Sequence, residues 1–164
     1  MTATYEKIAT TTLGSAVASY EFTSITGSYT DLVLVINGSA SVLDRSIRVQ
    51  YNSDTGTNYS YTNMNGYSGG AISQRASNTN HTRLSAALPT TAPGTIIAYF
   101  QNYSNTTTYK THISRGGGLG DQSMTDAFVG LWRSTSAITS ILIFPNTGNF
   151  NSGMTLTLYG IKAE

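Results

Sequence analysis

Large apolar residues recur at every second position along most of this chain, and clusters of Gly, Asn, Asp and Ser interrupt the runs. A period of two is that of a half-buried strand, and no segment sustains a helical period. The pattern predicts strands over 4–13, 19–25, 31–39, 45–52, 95–103, 108–115, 126–133, 137–144 and 154–162, with a short one within 81–88. The run Leu32 to Ile36 is continuous rather than alternating, which predicts burial on both faces. Asn37-Gly38 after it reads as a tight turn. Ile47, Val49 and Tyr51 fall on one face of the next strand, with Arg48 and Gln50 on the other.

Between 53 and 80 the alternation fails. Tyr59, Tyr61 and Met64 are expected to form a hairpin partner of the strand before them, and 66–80 a long surface excursion. The glycine-rich stretch 116–125 reads as another loop. The expected core is Leu32, Leu34, Ile36, Val49, Ile97, Phe100, Phe128, Trp132, Ile141 and Leu158. Even spacing of short strands predicts an all-β fold, an antiparallel β-sandwich of jelly-roll-like connection with about eight to ten strands. Residues 1–18 are expected to form an N-terminal strand or arm and 19–164 a single sandwich domain.

Composition sharpens this. Charged residues are 10% of the 164, and the formal net charge is +1. Ser, Thr, Asn and Gly take the place of charge, and eleven tyrosines supply apolar surface. Scattered Lys and Arg without a basic cluster argue against nucleic acid as a partner. Apolar runs this short, with no basic amphipathic stretch, argue against a membrane, and the first twelve residues lack the pattern of a secretory leader. With no cysteine, disulfides and thiol chemistry are excluded. A near-neutral chain tends to associate, which points to work inside an assembly.

The motifs that invite chemistry are weak. Arg115-Gly116-Gly117-Gly118-Leu119-Gly120 lacks the helix and Lys-Ser/Thr end of a phosphate loop. Asn52 to Asn58 holds one Asp, too few for a calcium loop. His81 and His112 fall on separate predicted elements, and no Gly-x-Ser-x-Gly elbow accompanies them. No enzyme, cofactor or metal is expected. Tyrosines near loops suit a binding surface, because they pair a large rigid face with a polar tip. The same rings could instead cover the domain's own strand edges.

Several stretches resemble small structural proteins of tailed bacteriophages, of the cyanophage type. They are Ser28-Tyr29-Thr30-Asp31-Leu32-Val33-Leu34, Asn52 to Tyr61, Asn102 to Thr111, Leu131 to Ile141 and Leu158-Tyr159-Gly160-Ile161-Lys162. The resemblance covers most of the chain from about Ser19 onward. It implies a virion structural protein on the capsid exterior, a cement or decoration protein that bridges neighbouring major capsid proteins as a homo-oligomer, a trimer. The alternative it leaves open is a tail-fibre or spike domain that binds host surface glycans. Expected contact segments are 2–12, 52–61 and 116–125, with Tyr5, Lys7, Asp54, Tyr59, Tyr61, Tyr67, Arg115 and Leu119 as candidate partner contacts.

Overall fold

A computed structural model describes residues 4–43, 46–118 and 124–162. Among these, twelve strands form: β1 (Tyr5–Thr12), β2 (Tyr20–Phe22), β3 (Asp31–Gly38), β4 (Ile47–Tyr51), β5 (Tyr59–Tyr67), β6 (Gly70–Thr79), β7 (Thr82–Ser85), β8 (Gly94–Gln101), β9 (Lys110–Gly118), β10 (Met124–Trp132), β11 (Ile141–Pro145) and β12 (Thr155–Ile161). One sheet has eight strands in the order β1-β12-β3-β8-β9-β10-β5-β6, and the other has four, β2-β11-β4-β7. Every neighbouring pair is antiparallel.

The topology is a jelly roll with two inserted hairpins. Leaving out β5-β6 and β9-β10, the remaining strands in chain order pair first-eighth-third-sixth in one sheet and second-seventh-fourth-fifth in the other. That is the double Greek key of jelly rolls. The two hairpins join the large sheet side by side, beyond β8, and extend it. Twelve strands exceed the number expected, because the sequence pattern shows the β5-β6 hairpin only as a strand and an excursion.

The inner faces meet in one large core. Leu32, Leu34, Ile36, Ile96, Ala98, Phe100, Leu156 and Leu158 from the large sheet pack with Phe22, Ile47, Val49, Tyr51, Leu84, Ile141 and Ile143 from the small one. Nine of the ten expected core residues are buried; Ile97 faces outward and is half-buried, while Ile96 points in. Val33, on the outer face of β3, is also buried. It sits in register between Tyr99 and Tyr159, whose strands flank it. Met154 lies inside with Leu156, just before β12 begins.

Four local expectations are corrected. Asn37-Gly38 is not a turn: both residues remain in β3, paired to Thr95 and Gly94. The glycine is needed there because a Cβ would come 2.6 Å from Met154 Cγ. The partners of β5 are β10 and β6, not β4, so Tyr59 to Tyr67 belongs to the other sheet. Residues 70–79 form the edge strand β6, and Gly116 to Gly118 continue β9 rather than a loop.

Candidate functional site

The inserted hairpins carry the chemistry of this molecule. Inward positions of β9 are Lys110, His112 and Ser114, all buried, and β10 adds buried Asp126. A buried polar group costs free energy unless it is hydrogen-bonded. Here the groups are spent largely on the backbone of β7 and the turn after it. His112 Nε2 donates to the Arg83 carbonyl at 2.9 Å, and Ser114 Oγ donates to the Leu84 carbonyl at 2.7 Å. Asp126 Oδ2 accepts from Ser85 Oγ and from the Ala86 amide, each at 2.7 Å. Lys110 Nζ donates to the carbonyls of Thr108 and Thr135.

This arrangement fixes the histidine. With Nε2 donating, the neutral ring must accept at Nδ1, and Tyr51 supplies its hydroxyl proton there at 2.8 Å. Burial holds the His112 pKa down at about 4. Burial, with Arg48 and Arg83 nearby, does the same to His81, also to about 4. Asp126 moves the other way: burial raises its carboxyl above the ordinary value against the pull of the Ser85 and Ala86 bonds. Ser114 and His112 are two apart on β9, yet each bonds a different β7 carbonyl. Among the described residues, no three His, Asp or Glu side chains gather as metal ligands would.

Beyond β7 the large sheet overhangs the small one, and a cleft of about 470 Å³ opens under the overhang. Asn63, Asn65 and Tyr67 of β5 and Gln74 of β6 line one side. Arg48, Arg83 and Asn146 line the other, and Phe128 and Met124 form the back. Asn63 is 2% exposed; its Nδ2 donates to Asn65 Oδ1, and its own Oδ1 has no partner. Arg83 places its guanidinium 4.7 Å from the centre of the Tyr61 ring, and its buried Nε is likewise without a partner.

The opposite, outer face of the same strands carries an apolar row. Ile113, Val129 and Met64 are 48%, 54% and 66% exposed. Val129 is the register partner of Ile113, and Met64 is the partner of the adjoining outward residue Ala127. A shallow groove of about 560 Å³ runs beside them, lined in part by Met64, Ala71, Ser73, Thr125 and Ala127.

The expected contact residues scatter over these surfaces. Tyr5 and Lys7 are exposed on β1, at one edge of the large sheet, and Tyr67 lies in the cleft near the other edge. Arg115 is exposed on the outer face of β9. Tyr59 and Tyr61 are corrected: both are inward and buried, the first stacked on Trp132 and the second under Arg83. Tyr103, another loop tyrosine, is also buried and donates to the Thr26 carbonyl.

Asp54 is an anchor within its own loop. Its carboxylate accepts from Gly56 N at 2.8 Å, Asn58 Nδ2 at 3.0 Å and Trp132 Nε1 at 2.7 Å. Burial would raise its pKa, but these bonds hold it below the ordinary value. Leu119 lies outside the described residues, as do 119–123 of the expected loop and residues 2 and 3 of the first contact segment.

Sequence reasoning missed Asn63, Gln74, Arg83, Met64, Ile113 and Val129 as surface-forming residues. Tyr59, Tyr61, Asn63, Asn65 and Tyr67 stand at every second position. That spacing could have shown the amides continuing the aromatic face.

No protein-family model matches the chain, and no curated protein matches it in sequence. Among solved structures, a galectin from Caenorhabditis elegans aligns over 94% of this chain and 96% of its own, at 9% identity and a TM-score of 0.35. A protein of unknown function from Shewanella oneidensis aligns over 86% of this chain and 62% of its own, at 10% identity and a TM-score of 0.28. The sandwich is established by its own strand pairing, not by these distant likenesses.

Proposed function

We propose that the chain is a non-enzymatic virion structural protein, a cement or decoration protein on the exterior of a phage capsid. In this reading it bridges neighbouring major capsid proteins as a trimer. The observation that carries it is the exposed row of Ile113, Val129 and Met64 on the outer face of the inserted hairpins. Adjoining exposed apolar side chains mark surfaces that bind other proteins. The charged side chains in the outward rows of β9, β10, β5 and β6 are Arg115 and Arg75, whose long stems keep the guanidinium groups in water at the rim of a contact. The phage-like stretches supply the virion setting.

The mechanism is repetition rather than one strong site. A cyclic oligomer presents the same face several times. Contacts that are weak singly then gain through effective concentration. The test is co-sedimentation with heads stripped of the chain. Wild-type protein pellets with the heads, and Val129→Glu, folded by circular dichroism, pellets at least tenfold less. Wild-type protein left in the supernatant, or a Val129→Glu variant that binds equally, overturns the reading.

A further inference from the structure

The cleft under the overhang has a feature that assembly through the outer face does not use. Two of its lining residues each hold a buried polar atom without a protein partner: the acceptor Asn63 Oδ1 and the donor Arg83 Nε. Buried polar atoms in native proteins are nearly all paired with protein or ordered water, so each orphan is a place where a bound hydroxyl would gain a bond. The two differ in sign. A hydroxyl group satisfies both kinds, since it donates one proton and accepts through its lone pairs. A carboxylate or phosphate satisfies the arginine and leaves the Asn63 oxygen facing more acceptors.

The remaining lining has the same character. Asn65, Gln74 and Asn146 add amides, each a donor and an acceptor at once. Met124 and Tyr67 give the C–H faces of a ring something to pack on. A volume of about 470 Å³ lies within the range of small-ligand sites. No carboxylate lines the cleft among the described residues. We propose that the cleft between Asn63, Gln74 and Arg83 is a binding site for a neutral polyhydroxylated ligand, a short saccharide segment.

The site lies on the inner side of β5 and β6, whereas the row proposed to meet the capsid lies on the outer side. Loss of one function therefore leaves the other intact. The test uses the full chain labelled with ¹⁵N and titrated with glucose, galactose, mannose, N-acetylglucosamine, maltotriose, glucuronate and inorganic phosphate. At least one neutral sugar shifts the side-chain amide resonances of Asn63, Asn65 and Gln74. Gln74→Ala weakens that binding at least fivefold, and Asn63→Leu abolishes it. Gln74 is exposed on the edge strand, so its variant keeps the test alive if the buried substitution prevents folding. Thr111→Ala, on the outer face, changes nothing. Three results overturn the proposal: no shift with any neutral sugar, shifts only with glucuronate and phosphate, or neutral-sugar binding that Gln74→Ala leaves unchanged.

Discussion

The hydroxyl of Tyr51 on the small sheet donates to Nδ1 of His112 on the large sheet at 2.8 Å. The bond joins the two layers through the middle of the sandwich, and the other ring nitrogen holds the carbonyl of Arg83. The ring is neutral, fully bonded and buried, and protonation would set a second N–H against the Tyr51 hydroxyl. Its work is to tie β9 to β4 and β7.

Stability should therefore fall in mild acid. Burial depresses His112 and His81 to about 4 from 6.5. Between these values the unfolded chain binds more protons than the folded one, so stability rises with pH across that window. It is complete above about pH 6.5 and declines toward pH 4, by at most about 1.4 kcal/mol per pH unit for each histidine. Asp126, raised by burial, acts in the opposite sense and favours the folded state as pH falls through its titration. Urea denaturation at a series of pH values should give a net positive slope between about pH 4.5 and 6.5, and His81→Asn should roughly halve it.

Gly130 is the second half of the histidine's seat. A Cβ at this position would collide with His112 Cε1 and Thr82 Oγ1, and would come 2.6 Å from His112 Nδ1. The ring cannot move aside freely, because His112 is bonded at both nitrogens. Gly130→Ala should cost about 3 kcal/mol through overpacking, read from the urea midpoint. A change below about 0.5 kcal/mol would show that the ring is not held there.

The Asp54 loop should be structural. Its carboxylate accepts a hydrogen bond from the Trp132 indole, and Arg133 ties the loop at Thr57 O to Ser60 Oγ of β5 and Asn78 Oδ1 of β6. Asp54→Ala should cost about 2 kcal/mol, the scale of a hydrogen bond to a charged group. A double-mutant cycle with Trp132→Phe should return a coupling of about 1 kcal/mol or more. Additive single effects would contradict the bond.

The outer row should govern capsid binding without supporting the fold or the trimer. Ile113→Ser with Val129→Ser removes two exposed side chains and should move stability by less than about 0.5 kcal/mol. The same double variant should elute as a trimer, like the wild type, in size-exclusion chromatography with light scattering, while pelleting at least tenfold less with stripped heads. Elution as monomer would place the row between subunits and contradict its assignment to the capsid.

How much of this was legible in the sequence depends on what each strand buries. β4 and β12 each lay one regular apolar face on the core, so their alternation shows, whereas β3 and β8 read as continuous apolar runs because tyrosines and Val33 cover their outer faces too. β6 was invisible because Gly70 to Thr79 is an edge strand with almost every side chain in solvent, and no face of it needs apolar residues. Gly116 to Gly118 misled for a related reason. Ser85 and Asp126 pack so close to Gly116 that a Cβ would lie 2.7 Å from Ser85 Oγ and 2.8 Å from Asp126 Oδ1. The glycines serve close packing, not a loop. The pairing of β5 was lost because sequence favours a local hairpin, while its partner β10 arrives far later in the chain.

Tyr59 and Tyr61 show the limit for the site. Tyrosine beside a loop suits a binding surface and a strand interior equally, and register alone decides. Here Tyr59 stacks on Trp132 and Tyr61 sits beneath Arg83. The cleft was not legible because its walls come from five strands and from the segments around Leu43 and Asn146.

Cryo-microscopy of intact particles that contain this chain bears most directly on its proposed work. Trimeric jelly-roll density on the outer shell is expected, with Ile113, Val129 and Met64 pressed against capsid protein. Density for the chain absent from the shell, or seated with that row facing open solvent, would contradict it.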